Sequence, residues 1–380
     1  NNTPARIYAQ LRAWPEFRRL FGDRVQKHLF NQGALTASNN TARLQRLAAR
    51  IDRAIVGESA RWGDAREFTI GPNPGHGQTF TRDEWWVPEL HKLYTNFFPT
   101  LGDLTLSRLR AADLYPAIDP PQFSQLGGAV PLGFELTLTN PNAGGAIVYT
   151  LDGSDPREYG SGNVAATAQT YEFPIPFSGP TTVSARVLSG SHWSALVEAT
   201  FHPPQDFSRL ALTEIMYHPP NLGAISGNDL EFLELKNTGT NTLDLSGLTF
   251  TRGITFTFTN GTLLGPGQFF VLVRNPAAFA VKYPGVAVQG AYTGQLDNAG
   301  ERLQLSHPLG ATVFSVTYGD RPPWPVLPDI ADFSLVPRNP AGATTPDDGA
   351  NWRASTHPGG SPGADDPPPT VPPIVINEIL

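Results

Sequence analysis

Leu210-Ala-Leu-Thr-Glu-Ile-Met216 and, after a turn, Leu230-Glu-Phe-Leu-Glu-Leu235 decide how the C-terminal half of this chain folds. Both are short apolar runs with interspersed polar residues, the pattern of extended strands whose side chains point alternately to two faces. Ile254-Thr-Phe-Thr-Phe258, Phe269-Phe-Val-Leu-Val273, Arg302-Leu-Gln-Leu305 and Val313-Phe-Ser-Val-Thr-Tyr318 continue the pattern. Asn260-Gly261 and Gly265-Pro-Gly267 punctuate them, and short strands between such turns predict an all-β sandwich. Pro276–Tyr283 is read as one helical turn between strands.

Upstream of the Pro203-Pro204 break the same period of two recurs in Phe134-Glu-Leu-Thr-Leu138, Val183-Ser-Ala-Arg-Val187 and residues 195–201. Ile147-Val-Tyr-Thr-Leu-Asp-Gly-Ser-Asp-Pro156 reads as a strand entering an Asp-Gly turn. Residues 116–203 are therefore expected to form a smaller sandwich. Asp152 and Asp155 have an Asp-x-x-Asp spacing that suggests calcium. A calcium ion takes six or more oxygens, however, and only Glu158 stands nearby, so a structural turn is the preferred reading.

Before residue 115 the period changes to that of helices. Trp14-Pro15-Glu16 has the form of a helix start, and Phe17, Phe21, Val25 and Leu29 follow at steps of four. A second helix is expected after Thr36-Ala-Ser-Asn-Asn40, with Leu44, Leu47, Ile51 and Ile55 as its apolar stripe. Arg43, Arg46, Arg50 and Arg53 lie mostly off that stripe and read as a solvated face rather than an anion site. Asp83 is placed as the cap of a third helix through Trp85, Leu90, Leu93, Tyr94 and Phe97. Leu104, Leu106 and Leu109 mark a fourth, ending before Pro116.

Composition agrees with this division. Charged residues are 16% of the chain, which argues against a charge-rich disordered protein and a strongly basic nucleic-acid binder. Gly and Pro number 37 each, a turn-rich β signature. Up to Tyr115 there are 16 Lys and Arg against 11 Asp and Glu, and thereafter 11 against 23. A basic helical part is thus joined to an acidic β part. Cysteine is absent, which removes disulfides, thiolate catalysis and Cys-bound zinc. No run reaches the roughly 18 apolar residues of a membrane helix. Both ends read as cuts through a longer protein.

Phe17-Arg-Arg-Leu-Phe-Gly-Asp-Arg-Val-Gln-Lys-His-Leu-Phe30, Gly33-Ala-Leu-Thr36 and Ile55-Val-Gly-Glu-Ser-Ala-Arg-Trp-Gly-Asp64 resemble the C-terminal end of the CotH-type kinase family, bacterial atypical protein kinases. That resemblance implies that ATP- and metal-binding residues lie upstream, so none is carried onto this chain. Tyr149-Thr-Leu-Asp-Gly-Ser-Asp-Pro156 with Val183–Val187 resembles the immunoglobulin-like C-terminal domain of chitobiases and β-hexosaminidases, which implies a spacer or carbohydrate-associated module. Thr213-Glu-Ile-Met-Tyr-His-Pro219, Glu231-Phe-Leu-Glu-Leu-Lys-Asn237, Leu243-Asp-Leu-Ser-Gly-Leu248, Leu296-Asp-Asn-Ala-Gly-Glu-Arg-Leu303 and Gly360-Ser-Pro-Gly363 resemble the lamin tail domain, another immunoglobulin-like fold.

The expected organisation is a helical segment at 1–115, a first immunoglobulin-like sandwich at 116–203 and a lamin-tail sandwich at 204–365. A Pro-rich linker at 366–373 follows, and Ile374-Val-Ile-Asn-Glu-Ile-Leu380 is read as the first strand of a second lamin-tail repeat. No His-x-x-x-His pair, Gly-x-Ser-x-Gly elbow or phosphate loop is found, Gly71–Gly77 reading as a connector. Glu214, Glu231 and Glu234 are the best acidic cluster. If the first two strands pair, Glu214 and Glu234 become neighbours that could serve a glycosidase or a cation. Solvent-facing acids that keep a strand edge soluble are the preferred alternative. Trp324, among Pro322, Pro323 and Pro325, is weighed as a sugar platform against a residue closing the sandwich base. The expected function is non-catalytic binding or anchoring on a bacterial secreted or surface protein, with no cofactor and no nucleic acid; the alternatives are an accessory part of an active atypical protein kinase whose ATP site lies upstream, or a carbohydrate-binding accessory module. The partner would be a protein, cell-envelope or carbohydrate ligand.

Overall fold

The computed structural model describes residues 4–63, 79–340 and 345–369. The connector at Gly71–Gly77 and the strand expected at 374–380 lie outside them. The chain divides into two compact units, Asn1–Pro203 and Pro204–Leu380. Helices come first and strands in sheets follow, as the change of period predicts.

The first unit opens with α1 (Pro4–Arg12), which the sequence reading missed, and α2 (Pro15–Leu29). Pro15 occupies the first turn of α2, where its missing N–H costs nothing. α3 (Ala37–Trp62) follows. Its expected stripe is split by the structure: Ala48 is buried and Leu44 and Ile55 half-buried, whereas Leu47 and Ile51 are 47% and 49% exposed. The packed face runs through 44, 48 and 55, and Leu47 and Ile51 stand on its shoulder.

The third and fourth expected helices are one continuous run from Arg82 to Ala111. α4 (Val87–Lys92) and α5 (Phe98–Ala111) are each preceded by a π turn, Arg82–Trp86 and Leu93–Phe97. Pro88 and Pro99 follow these wider turns at the second position of α4 and α5, so neither proline ends the run. Thr81 rather than Asp83 is the cap, its side chain accepting from Glu84 N at 3.1 Å.

The first sandwich is built on β1 (Gly128–Ala129), β2 (Ala146–Thr150), β3 (Gln169–Thr170), β4 (Thr181–Ser189) and β5 (Val197–His202). The sheet order is β1-β5-β4-β2-β3, with β1 and β5 parallel and the other neighbours antiparallel. Val183, Ala185 and Val187 are fully buried on one face of β4, packed with Leu136, Ile147 and Phe201. α2 is in the same unit. Its Val25, with Phe21 and Leu29, packs on Tyr115 and Ala195.

The second unit is the larger sandwich. One sheet holds β6 (Leu210–Met216), β7 (Phe232–Asn237), β10 (Phe269–Val273), β11 (Gly290–Ala291), β14 (Leu335–Pro337) and β15 (Trp352–Ala354), ordered β11-β10-β7-β6-β14-β15. The other holds β8 (Thr249–Arg252), β9 (Phe256–Thr257), β12 (Arg302–Ser306) and β13 (Thr312–Thr317), ordered β9-β8-β12-β13. Leu233, Leu235, Phe250, Leu303 and Leu305 form part of the core between them. The other face of the first sheet is covered too. Phe232, Met216, Val271 and Val273 pack there on Phe279 of α6 (Pro276–Lys282), which Asn275 caps. That two-sided cover decides the site.

Candidate functional site

β6 carries an irregularity between Leu212 and Glu214, and beyond it Glu214 lies directly opposite Glu234 of β7. The two glutamates are neighbours, as strand pairing predicts. They do not face solvent: Glu214 and Glu234 are each 1% exposed and Glu231 is fully buried. The solvent-face reading is overturned because β7 is an interior strand covered on both faces, by the opposing sheet and by α6 with the C-terminal segment.

Each carboxylate is engaged by the fold. Glu214 Oε1 accepts from the Ser334 hydroxyl and from Ser361 N at 2.9 Å. Glu234 accepts from Thr213 Oγ1 at 2.7 Å on one oxygen and from Gly363 N at 2.6 Å on the other. Burial pushes Glu214 up to about 8 and Glu234 up to about 7, against the lowering effect of those donors. Glu231 Oε2 accepts from Leu296 N at 2.8 Å and Tyr292 Oη at 3.2 Å, and burial raises this group to about 7. Arg274 Nη1 stands 3.9 Å from its other oxygen. Among the described residues, no group of three His, Asp or Glu side chains could hold a metal ion.

Asp152 and Asp155 serve different partners. Asp152 Oδ1 accepts from Ser154 N at 2.9 Å and Ser154 Oγ at 2.6 Å, which hold its carboxyl below the usual carboxylate range. It closes its own turn. Asp155 instead receives Arg186 Nε at 2.7 Å and Nη2 at 2.6 Å. Trp324 is half-buried against the core, its ring centroid 5.8 Å from that of Trp352.

The sequence reading missed a charged cluster in the first unit. Arg186 lies on β4, on the face opposite the fully buried valines, and is only 3% exposed. Its two Nη atoms donate to the two oxygens of Asp23 on α2, at 2.7 Å each, and Nη1 also reaches Ser194 O at 2.9 Å. Asp23 Oδ1 accepts Leu196 N at 2.8 Å as well. Arg157, 6% exposed, donates to both oxygens of Glu16, at 2.9 and 2.6 Å. Burial works against the charge of Arg186, but hydrogen bonds to Asp155 and Asp23 outweigh it and its pKa is raised. Two fork-like ion pairs thus fasten α2 to the sandwich, one through a strand and one through a loop. The only signal was a lone arginine inside an alternating strand, which does not name its partner.

No protein of curated function matches the chain. Among solved structures, similarity extends to a DUF4876 family protein from Bacteroides thetaiotaomicron, at 12% identity over 49% of this chain and 76% of that chain, with a TM-score of 0.24. It also extends to a quinonprotein alcohol dehydrogenase-like protein from the same bacterium, at 12% identity over 52% of this chain and 49% of that one, with a TM-score of 0.17. Residues 126–197 match the family model of the chitobiase/beta-hexosaminidase C-terminal domain, within the first sandwich. Residues 203–320 match that of the lamin tail domain, covering most of the second.

Proposed function

We propose that this chain is the non-catalytic binding and anchoring region of a bacterial secreted or cell-surface protein, carried behind a CotH-like kinase domain. One observation supports it most. The acids that chemistry would use, Glu214, Glu231 and Glu234, are buried and hydrogen-bonded to the fold's own donors. A general acid or nucleophile has to reach a substrate atom within hydrogen-bond distance. Two immunoglobulin-like modules in series agree with a presenting role. The resemblance of the motifs at 17–30 and 55–64 to the kinase family supports the placement behind such a domain.

A carbohydrate ligand is the second reading, favoured by the match of residues 126–197. Both are tested with the full chain in two assays. Incubated with labelled ATP and a general protein substrate, the chain alone is expected to transfer no phosphate, and transfer would overturn the non-catalytic reading. Sedimentation with cell envelopes and with insoluble polysaccharides is expected to retain the chain on at least one. Retention on neither would remove the anchoring role.

A further inference from the structure

A single segment, Gly360–Asp366, covers the Glu214–Glu234 pair from outside the sheet. Ser361 N and Gly363 N, two residues apart on that segment, each donate to one of the two glutamates. Gly360 has φ +73°, and a Cβ there would overlap Glu214 Oε1, so the backbone lies directly on the carboxylate. Further along, Asp365 pairs with Lys236 and Asp366 with Arg353.

The surrounding charges have partners other than the two glutamates. On β7, Lys236 takes Asp365 at 2.5 Å, and on α6 Lys282 takes Asp332 at 2.5 Å. Tyr283 Oη, at the end of α6, donates to Gly359 O at 2.8 Å. On β15, Arg353 takes Asp366, and after β14 Arg338 Nε donates to Ala350 O at 3.0 Å. His357 of the following loop is exposed. The two glutamates therefore face each other across one strand pair with neutral donors as their partners. Two negative charges on directly opposite buried residues repel, and a proton on either one relieves the repulsion.

We propose that Gly360–Asp366 is a proton-dependent strap: it stays docked while the Glu214–Glu234 pair holds a proton and lifts when both carboxyls are ionised. Each ionisation sends its proton to solvent, and the freed carboxylates exchange Ser361 N and Gly363 N for water. With the strap docked, Glu214, Glu234 and the strap's Ser361 and Asp366 already line a cavity of about 360 Å³ together with Thr213 and Arg353, and lifting removes the strap's wall of it. Burial places the ionisations of the pair near neutrality, at about 8 and about 7. The strap would operate whatever the partner, and lifting it exposes two of the acids whose burial supports the non-catalytic reading.

The test is amide hydrogen exchange of the full chain from pH 6 to 9, with rates divided by the intrinsic rate at each pH. Protection of Ser361 and Gly363 is expected to fall by about tenfold or more, the change that one unit of pKa difference produces, and by more than that of β7 and β12. Glu214→Gln keeps an acceptor oxygen and cannot ionise, so its strap protection should change less than about twofold over the same range. A flat wild-type profile, or a Glu214→Gln variant that loses protection as the wild type does, overturns the proposal. Glu234→Gln provides the same comparison if the first variant does not fold. Gly360→Ala should leave the strap unprotected at every pH with β7 still protected.

Discussion

The two units bury ionisable side chains by opposite means. In the first, Arg186 and Arg157 are matched by Asp23, Asp155 and Glu16 in two-pronged ion pairs, those to Asp23 and Glu16 joining α2 to the sandwich. In the second, Glu214 and Glu234 face one another across a strand pair with hydroxyl and amide donors. A paired charge stays charged and holds two elements in one geometry. An unpaired buried carboxyl keeps its proton, and its contribution depends on pH.

The largest effect is expected from Arg186→Met. It leaves Asp23 and Asp155 without their cation, which should lower the stability of the first unit by about 3–5 kcal/mol. Denaturant titration read by hydrogen exchange in β4 and α2 measures it. Adding Asp23→Asn and Asp155→Asn to the variant should recover part of the loss. A loss below about 1 kcal/mol would mean that the pairs contribute little and the contrast dissolves.

Gly360→Ala comes next, combining a positive φ with an overlap on Glu214, and should destabilise the second unit by about 1–3 kcal/mol. The urea midpoint of β6 and β7 exchange should shift with an unchanged slope. An unshifted midpoint would show that the strap yields freely.

The pH dependences should have opposite signs. Glu214, Glu231 and Glu234 ionise at higher pH in the fold than in the unfolded chain, so the fold binds more protons. Their contribution is whole below about 4.5, the unfolded value, and is lost as pH rises to about 8. Glu16 is held below its ordinary value by the Arg157 hydrogen bond, so its contribution is present above about 4.5 and is lost as pH falls. Exchange protection read unit by unit at pH 4, 6 and 8.5 separates the two. A common optimum in both units would contradict this assignment.

The smallest effect is expected at Asp152, whose exposed carboxylate closes only its own turn. Asp152→Asn should change stability by about 0.5 kcal/mol or less, and added calcium should leave the melting temperature of the wild type in place. A calcium-dependent rise abolished by the substitution would return this turn to the list of cation sites.

Much of this was legible in the chain, and the rest was hidden for identifiable reasons. Alternation at 134–138, 183–187 and 230–235 foretold strands, and a step of four at 17–29 foretold α2, because each pattern depends on neighbours in sequence. The register that sets Glu214 beside Glu234 was visible once two strands were assumed to pair. Their burial was not, because the cover comes from Ser334, Ser361 and Gly363, residues 120 to 147 positions from Glu214 and 129 from Glu234. Gly360-Ser-Pro-Gly363 was recognised as a motif without its backbone N–H groups being seen as donors. Likewise, Arg186 could be read on a strand, but not its separation of 163 residues from Asp23.

That last separation has a consequence during synthesis. α2 leaves the ribosome long before the strand that carries Arg186 exists. At about 5–20 residues per second, Asp23 waits on the order of 10–30 s for its guanidinium. Through that interval Phe21 and Val25 lack Ala195, the neighbour from the sandwich against which they finally pack. The nascent helix therefore passes a window in which a chaperone, or another nascent chain, can reach its apolar face first.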